Sequence, residues 1–315
     1  MEYAIDVRGL SKSFQGNEVV KGINLRVKKG ELFALLGPNG AGKTTTINML
    51  TTLLKADGGT AVVAGYDVEN QAGDVRKRIS LTGQFAALDE GLTGLQNLEM
   101  VAKLSGCPSR DARSISEDSI RSFGLWEAKD RTVGHYSGGM RRRLDIAASI
   151  VTQPELIFLD EPTTGLDPQS RIQVWEVVRM LLGIGTTVVL TTQYLEEADQ
   201  LADRIAVIDQ GRIIAEGTPT QLKASIGGKT LSIQLSEPVE LERITELLVD
   251  SPLEVYQDDN SLVYKMAVQE AKLANETVHR LLSNDIPVEY FTLGEPSLDE
   301  VFLTLTHSKT KEAAS

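Results

Sequence analysis

The residues Gly37-Pro-Asn-Gly-Ala-Gly-Lys43-Thr44 are the strongest indication of the fold class of this chain. It is a complete match to the pattern G-x-x-x-x-G-K-[ST], whose glycines let the backbone curl until successive N–H groups point inward at a phosphate chain. The apolar residues 31–36 before it predict a strand, and the residues from 44 onward predict a helix whose positive N-terminal end favours anions. We therefore predict a phosphate-binding loop for a nucleotide, in which the expected contacts are Gly37, Pro38, Asn39, Gly40, Ala41, Gly42, Lys43, Thr44 and Thr45.

Two adjacent carboxylates supply the second half of this site. The stretch Leu156-Ile-Phe-Leu-Asp160-Glu161 is typical of a buried strand that ends in the two acids, at the edge where parallel sheets bind ligands. In this interpretation Lys43 contacts the β and γ phosphates of ATP, while the Thr44 hydroxyl and Asp160 hold Mg²⁺. Glu161 is placed to polarise an attacking water as a general base. Taken alone, the two acids could equally be the solvated end of a strand.

The composition and net charge limit the expected binding partners and the expected cellular location of the chain. The 315 residues are enough for about two domains. A formal net charge of -12 argues against a nucleic-acid-binding surface, because phosphate backbones require a basic face, so we expect no nucleic-acid partner. A single cysteine, Cys107, and a start without a secretory pattern favour the cytosol. No apolar run approaches the roughly 18 residues that span a bilayer, so a membrane role would depend on a partner.

Hydrophobic patterns divide the chain into a larger and a smaller part. Alternating residues near the start predict an antiparallel β layer, and residues from about 85 to 152 predict a helical subdomain. Apolar runs at 156–160, 187–191 and 204–208 predict a parallel sheet. Residues 1–225 are therefore expected to form an α/β nucleotide-binding domain, with a break near Ile226-Gly-Gly228.

The smaller part, residues 229–306, has an element order of its own. Strand patterns at 231–235 and 288–293, helical patterns at 241–249 and 271–282, and a hairpin around Asp258-Asp-Asn260 give the order β-α-β-β-α-β. That order predicts a small C-terminal α+β domain of the ferredoxin-like kind. Ser297-Leu-Asp-Glu300 is a capping-box signature for one last helix, and the polar residues 307–315 are expected to be a disordered tail.

Tyr136-Ser-Gly-Gly139, followed by Met140-Arg-Arg-Arg143, lies shortly before the acidic strand. Ser-Gly-Gly alone is a common helix start. In this company, however, residues from about 4 to 220 resemble the ATP-binding cassettes of ABC transporters. The resemblance implies a P-loop NTPase with a RecA-like core, an antiparallel β layer and a helical subdomain. It also implies that Ser137, Gly138 and Gly139 bind the γ-phosphate held by the opposite subunit, so that ATP joins two cassettes into a homodimer.

Three further positions take their roles from the same resemblance. Phe14 falls where the family stacks an aromatic ring on adenine, although it could also be a core aromatic. Gln84 falls where a glutamine contacts Mg²⁺ and the attacking water and passes the nucleotide state to the membrane subunit, although it could also be a polar loop residue. Asp167, in Thr164-Gly-Leu-Asp167, matches a loop that contacts its counterpart across the dimer, and a helix cap is the alternative.

Two positions depart from the commonest family form. The signature usually ends in glutamine and here ends in Met140, and the switch position usually holds histidine and here holds Gln193. A glutamine amide can donate a hydrogen bond to the γ-phosphate but cannot shuttle a proton. Glu161 would therefore carry the base role more fully, and we expect slow but real hydrolysis.

These departures, with Tyr136 in place of leucine and the ending Gly294-Glu-Pro-Ser-Leu-Asp-Glu-Val-Phe302, are similar to the daunorubicin-resistance-type ATP-binding subunits. That resemblance covers nearly the whole chain. It implies an exporter in which two copies of this chain act beneath an integral membrane permease encoded on a separate chain. The expected location is peripheral, at the cytoplasmic face of the cell membrane, and the expected cargo is a hydrophobic drug or a related small molecule.

Two other classes compete with this interpretation. A soluble ABC ATPase that acts on nucleic acid or ribosomes would require two cassettes or a long coiled-coil insertion, and the chain has neither pattern. A module that binds ATP without turnover is suggested by Gln193, but the presence of Lys43, Asp160 and Glu161 speaks against it. The basic run 141–143 is interpreted as a helix face near a subunit interface rather than as a phosphate- or membrane-binding patch, since three consecutive residues cannot share one face.

Overall fold

A computed structural model describes residues 2–83, 88–225, 228–248, 255–257, 262–268 and 270–302. It divides the chain into two compact units, Met1–Thr218 and Pro219–Ser315. The domain bounds 1–225 and 229–306 stay predictions beside this division. Gln84, the hairpin at 258–260 and the tail 307–315 lie outside the described residues.

The first unit contains two sheets. Its strands, in chain order, are β1 (Tyr3–Phe14), β2 (Asn17–Lys28), β3 (Leu32–Leu36), β4 (Gly58–Val63), β5 (Tyr66–Asp67), β6 (Ile79–Thr82), β7 (Leu156–Asp160), β8 (Thr187–Thr192), β9 (Arg204–Asp209) and β10 (Arg212–Gly217). The antiparallel sheet has the order β2-β1-β4-β5, and the larger sheet has the order β10-β9-β3-β8-β7-β6. The larger sheet is parallel except for β10, which pairs antiparallel with β9. The predicted antiparallel layer and parallel core are both confirmed.

The apolar composition of the central strands explains their position. Every residue of β3, β7 and β8 is buried, as expected where helices cover both faces of a parallel sheet. The edge strands β6 and β10 are only partly buried and lack continuous apolar runs. This arrangement brings the carboxyl ends of β3, β7 and β8 to one edge of the sheet, where the predicted phosphate loop and acids follow.

Helices connect the strands and form a separate group after β6. In chain order they are α1 (Lys43–Leu50), α2 (Ala72–Arg76), α3 (Gly94–Leu104), α4 (Ser109–Ser122), α5 (Gly138–Ile150), α6 (Pro168–Gly183) and α7 (Leu195–Leu201). The predicted helical subdomain corresponds to α3, α4 and α5. A complete capping box starts α3, because the Thr93 side chain accepts from the Gln96 backbone and the Gln96 side chain accepts from the Thr93 backbone. None of the helices in the described part of the chain is long and apolar enough to cross a bilayer.

The second unit is a four-stranded antiparallel sheet with two helices against it. Its elements are α8 (Pro219–Ser225), β11 (Lys229–Leu235), α9 (Leu241–Leu247), β12 (Val255–Gln257), β13 (Val263–Val268), α10 (Ala271–Ser283) and β14 (Val288–Gly294). The strand order β12-β13-β11-β14 is that of a ferredoxin-like domain, as predicted. Residues 298–302 are helical, and Ser297 and Glu300 exchange the two hydrogen bonds of the predicted capping box.

Candidate functional site

The predicted phosphate loop joins β3 to α1, and its glycines are needed for two different physical reasons. Gly40 and Gly42 have φ angles of 81° and 106°, in the left-handed region that favours glycine. A Cβ atom built on Gly37 would lie only 2.2 Å from the carbonyl oxygen of Ile208 in β9. Gly37 therefore allows the loop to pass directly over the neighbouring strand, while the other two glycines allow the turn into α1.

Lys43 is buried in this loop and is surrounded by oxygen atoms. Its side chain is 4% exposed, and its ammonium group donates to the carbonyl oxygens of Gly37 at 2.8 Å and Pro38 at 3.2 Å. The same nitrogen lies 3.2 Å from Oε1 of Glu161. The sequence-predicted phosphate ligand and the sequence-predicted base are thus direct neighbours.

Asp160, the last residue of β7, is where three elements meet. The Thr44 hydroxyl of α1 donates to its Oδ1 at 3.3 Å, and the Thr191 hydroxyl of β8 donates to the same oxygen. Hydroxyl and carboxylate oxygens are hard ligands of the kind that Mg²⁺ takes, usually from one or two carboxylates and a substrate phosphate. Thr44 and Asp160 therefore fit a magnesium ion, as expected from the sequence.

Glu161 has an unusual backbone for a side chain of its size. Its φ angle is 48°, in the left-handed region, where a residue other than glycine costs of order 1–3 kcal/mol. Its N–H donates to the carbonyl and hydroxyl oxygens of Thr191 at 3.1 and 3.0 Å, and its Oε2 accepts from the Thr164 hydroxyl at 3.2 Å. These contacts hold the backbone in a strained conformation that directs the carboxylate to Lys43.

The signature residues form the N-terminus of α5. Ser137 is the N-cap, and its hydroxyl accepts from the Met140 N–H at 3.2 Å. A Cβ atom on Gly139 would lie 2.4 Å from the hydroxyl oxygen of Ser170, and one on Gly138 would lie 3.4 Å from Leu166. Gly139 therefore lets the start of α5 pack closely against the start of α6, whereas a side chain at Gly138 would only touch Leu166 at an ordinary distance.

Asp167 is the N-cap of α6, which is the alternative considered from the sequence. Its Oδ1 accepts from the Ser170 N–H at 2.9 Å, and its Oδ2 accepts from the Ser170 hydroxyl. The hydrogen bond from the Ser170 side chain, followed by the one from its backbone, lowers the pKa of this carboxyl. A capping role does not exclude a further contact across a dimer.

The remaining predicted residues lie around this centre. Phe14 ends β1 with 45% of its surface exposed, which excludes the core-aromatic alternative, and the Lys12 ammonium lies 5.7 Å from its ring centre. Gln193 lies half-buried between β8 and α7. Thr45 follows Thr44 in the first turn of α1.

Sequence reasoning missed the role of Arg142. The basic run predicts a helix face near an interface, but Arg142 is 8% exposed and its guanidinium donates to three backbone carbonyls. Its neighbours point elsewhere: Arg141 pairs with Glu90 at 3.1 Å, and Arg143 donates to the Phe123 carbonyl at 3.1 Å. The available signal was Asp145, three residues along the same helix, which lies 3.5 Å from Arg142.

Sequence reasoning also missed Glu197, which is fully buried in α7. Its Oε1 accepts from the Trp175 indole N–H at 3.2 Å. Burial raises the pKa of this carboxyl, and donors from Thr192, Thr163 and Trp175 oppose the shift. The residue lies four positions after Gln193 in the chain.

Comparisons with known proteins agree with this arrangement. The family model described as ABC transporter matches residues 20–164, and the one described as ATP-binding protein DrrA1-3-like, C-terminal domain, matches residues 217–306. The chain is 50% identical to the daunorubicin/doxorubicin resistance ATP-binding protein DrrA of Streptomyces peucetius, over 99% of this chain and 96% of that protein. It is 48% identical to the daunorubicin resistance ATP-binding protein DrrA2 of Streptomyces coeruleorubidus, over 99% of each.

A solved structure extends the likeness to the fold. The structure of cbiO1 from Clostridium perfringens, part of the ABC transporter complex cbiONQ, aligns with a TM-score of 0.66 at 25% identity, over 80% of this chain and 97% of that one. Together with the two family matches and the relatives of nearly full length, this likeness shows the family of the chain. The chain belongs to the ATP-binding subunits of ABC transporters, which are nucleotide-binding ATPases, and within them to the daunorubicin-resistance type.

Proposed function

We propose that this chain binds ATP with Mg²⁺ at the edge formed by β3, β7 and β8, and hydrolyses it to drive an exporter. The observation that carries the proposal is the presence of two pairs at this edge: Lys43 Nζ lies 3.2 Å from Glu161 Oε1, and the Thr44 hydroxyl donates to Asp160 at 3.3 Å. Each is the residue type that phosphoryl transfer needs at that place. Catalysis of this kind is mostly positioning and charge stabilisation, so the geometry itself supplies much of the activity.

Lys43 exchanges partners in this proposal. Its ammonium is held by two backbone carbonyls and Glu161, and the β and γ phosphates of ATP would replace these oxygens. Release from Lys43 would leave the Glu161 carboxylate beside the γ-phosphate, where it can accept a proton from water. The ion pair thus keeps both side chains in place until the nucleotide separates them.

Magnesium would be held by the Thr44 hydroxyl and Asp160, directly or through water, and would neutralise charge on the β and γ phosphates. The Thr191 hydroxyl on the same Asp160 oxygen fixes the orientation of that carboxylate.

Gln193 would donate to the γ-phosphate without taking part in proton transfer, because an amide does not titrate. Hydrolysis is therefore expected to be slow and to depend strongly on Glu161. The proposed role of Gln84, toward Mg²⁺ and water, rests on the resemblance alone.

ATP-binding subunits of this class dimerise and work with transmembrane partners, and we infer a homodimer for this chain. Ser137, Gly138 and Gly139 would bind the γ-phosphate held by the second copy, through the N–H groups at the start of α5. Asp167 would lie near its counterpart across the same interface, and Phe14 would stack on adenine. A nucleotide without a γ-phosphate should not close this dimer, because it lacks the group that distinguishes the closed state.

The names of the relatives support an exporter of hydrophobic drugs. Daunorubicin is therefore the drug with which we test export. The partner would be an integral membrane permease on a separate chain, which places this subunit at the cytoplasmic face of the membrane. No nucleic-acid partner is proposed, consistent with the net charge of -12.

The export proposal is tested in a drug-sensitive host that expresses this chain together with a candidate permease from a neighbouring gene. Cells with the parent chain should accumulate less daunorubicin than cells with Glu161→Gln. Equal amounts of this chain and of the permease in the two sets of cells are the matched control. Equal accumulation with parent and variant would contradict export. Cells that express the parent chain without the permease should show no reduction in daunorubicin accumulation, because the chain has no membrane-spanning helix in its described part.

A further inference from the structure

We propose that Arg142 is a positioning residue for hydrolysis, which links the signature helix α5 to the backbone on both sides of Glu161. The inference rests on the proposed function and names a residue that sets its geometry. It follows from the contacts of the guanidinium group rather than from its charge.

Each of the three guanidinium nitrogens of Arg142 donates to a different backbone carbonyl. Nε donates to Pro162 at 2.9 Å, Nη2 donates to Asp160 at 3.1 Å, and Nη1 donates to Gly83 at 2.7 Å. Asp160 and Pro162 are the two neighbours of Glu161 in the chain. One rigid, planar group therefore holds the carbonyls of the two residues that flank the proposed base.

The third carbonyl belongs to a different segment of the chain, the one next to Gln84. Gly83 follows β6 and directly precedes Gln84 in the sequence. Arg142 thus connects α5 both to the loop that carries Glu161 and to the residue before the one expected to sense the nucleotide. Ser137, the proposed ligand for the opposite γ-phosphate, caps the same helix one turn earlier.

The burial of Arg142 indicates that these contacts are specific. A buried guanidinium is costly unless its donors are satisfied, and a hydrophobic side chain of similar size could pack there at less cost. Burial lowers the pKa of Arg142, while the negative charges of Asp145, Asp160 and Glu197 oppose the shift. The surrounding acids and carbonyls keep the group charged and fixed in place.

Glu161 is the residue that most needs such support. Its backbone is in the left-handed region at φ 48°, and a strained residue persists only when its surroundings determine it. Thr191 holds the Glu161 N–H from β8, and Arg142 holds the adjacent carbonyls from α5. A displacement of this loop on ATP binding would consequently move α5, and with it Ser137.

The test compares Arg142→Gln and Arg142→Lys with the control Arg143→Lys, using the full chain. Arg143 is the next residue on α5, half-buried, and its described hydrogen bond goes to Phe123 and not to the Glu161 loop. Lysine keeps the positive charge but presents a point charge that cannot span three carbonyls. We expect kcat for ATP to fall at least about tenfold in both Arg142 variants, as a small misplacement of a reacting group does.

The affinity for ATP separates positioning from general damage. The phosphate loop does not contact Arg142, so the Kd for ATP measured by calorimetry should stay within about twofold of the parent. The control Arg143→Lys should keep the parent values of both kcat and the Kd for ATP. Full activity in Arg142→Lys would overturn the inference, because charge alone would then suffice, and an equal loss of kcat and ATP affinity would also overturn it.

Hydrogen exchange in α5 provides a readout that does not depend on turnover. ATP should protect amides of residues 138–150 in the parent and in Arg143→Lys, and much less in Arg142→Lys. An inactive parent that still shows this difference would contradict the proposed ATPase cycle but support the link that Arg142 makes between α5 and the Glu161 loop. Equal protection in all three proteins would overturn the role of Arg142 even if the parent hydrolyses ATP.

Discussion

The Nζ atom of Lys43 lies 3.2 Å from Oε1 of Glu161, with both side chains largely buried. Lys43→Ala removes a phosphate ligand and also leaves the Glu161 carboxylate without its cationic partner. We expect ATP affinity to fall at least about tenfold, because charge-assisted hydrogen bonds contribute roughly 1.5–3 kcal/mol.

Isothermal titration with ATP measures this loss. The control is Lys29→Ala, since Lys29 is exposed and lies 4.0 Å from Glu155 in a surface pair. Equal ATP affinity in Lys43→Ala and Lys29→Ala would show that Lys43 does not hold the phosphates.

Gly37→Ala tests the close passage of the phosphate loop over β9. The added Cβ atom would lie 2.2 Å from the Ile208 carbonyl oxygen, and neither backbone can yield without moving a strand. We expect the free energy of unfolding to fall by about 1–3 kcal/mol. In Gly73→Ala, where the Cβ atom meets nothing within 4 Å inside α2, stability should be unchanged or slightly raised. Urea unfolding of both variants measures their free energies of unfolding. Equal stability of the two would contradict the predicted clash with the Ile208 carbonyl.

Gly94 and Tyr136 form a matched pair at the start of the helical subdomain. A Cβ atom on Gly94 would lie 2.2 Å from the Tyr136 hydroxyl oxygen, which donates to the Ala128 carbonyl at 2.7 Å. Gly94→Ala should therefore cost about 1–3 kcal/mol in the parent and clearly less beside Tyr136→Leu, which removes the hydroxyl. Unfolding free energies of the four proteins give the coupling, and strictly additive costs would argue against the contact.

Glu197→Gln should change how stability depends on pH. Burial raises the pKa of Glu197, so the folded chain binds this proton more tightly than the unfolded chain does. Its stabilising contribution is fully present below the unfolded pKa and is lost as pH rises through the raised folded pKa. Glutamine does not titrate, so the stability of the variant relative to the parent should increase from about pH 4 to about pH 8. Urea unfolding across that range tests this, and a constant difference would exclude the titration of Glu197.

The central fold could be predicted because its strands and loops carry strong local signals. Strand β7 has the predicted bounds, since four consecutive apolar residues end in two acids, and the Ser297 capping box forms the expected hydrogen bonds. The edge strands β6 and β10 were not identified, because partly buried edges do not need continuous apolar residues.

The supports of the candidate site could not be read from the sequence. Three consecutive arginines point in three directions from a helix, and tertiary packing alone decides that Arg142 is the buried one. The left-handed backbone of Glu161 likewise carries no local signal, because only its surroundings stabilise it. The chemistry-bearing residues were predicted, but the residues that hold them were not.

ATP turnover of the purified chain in the presence of Mg²⁺, measured beside Glu161→Gln, tests the role of Glu161 as the base. We predict slow turnover in the parent and a loss of at least about a hundredfold in Glu161→Gln, with ATP still bound, because the variant keeps the phosphate loop and loses the general base. Equal turnover in the two proteins would contradict the assignment of Glu161 as the base, and with it the account of the site.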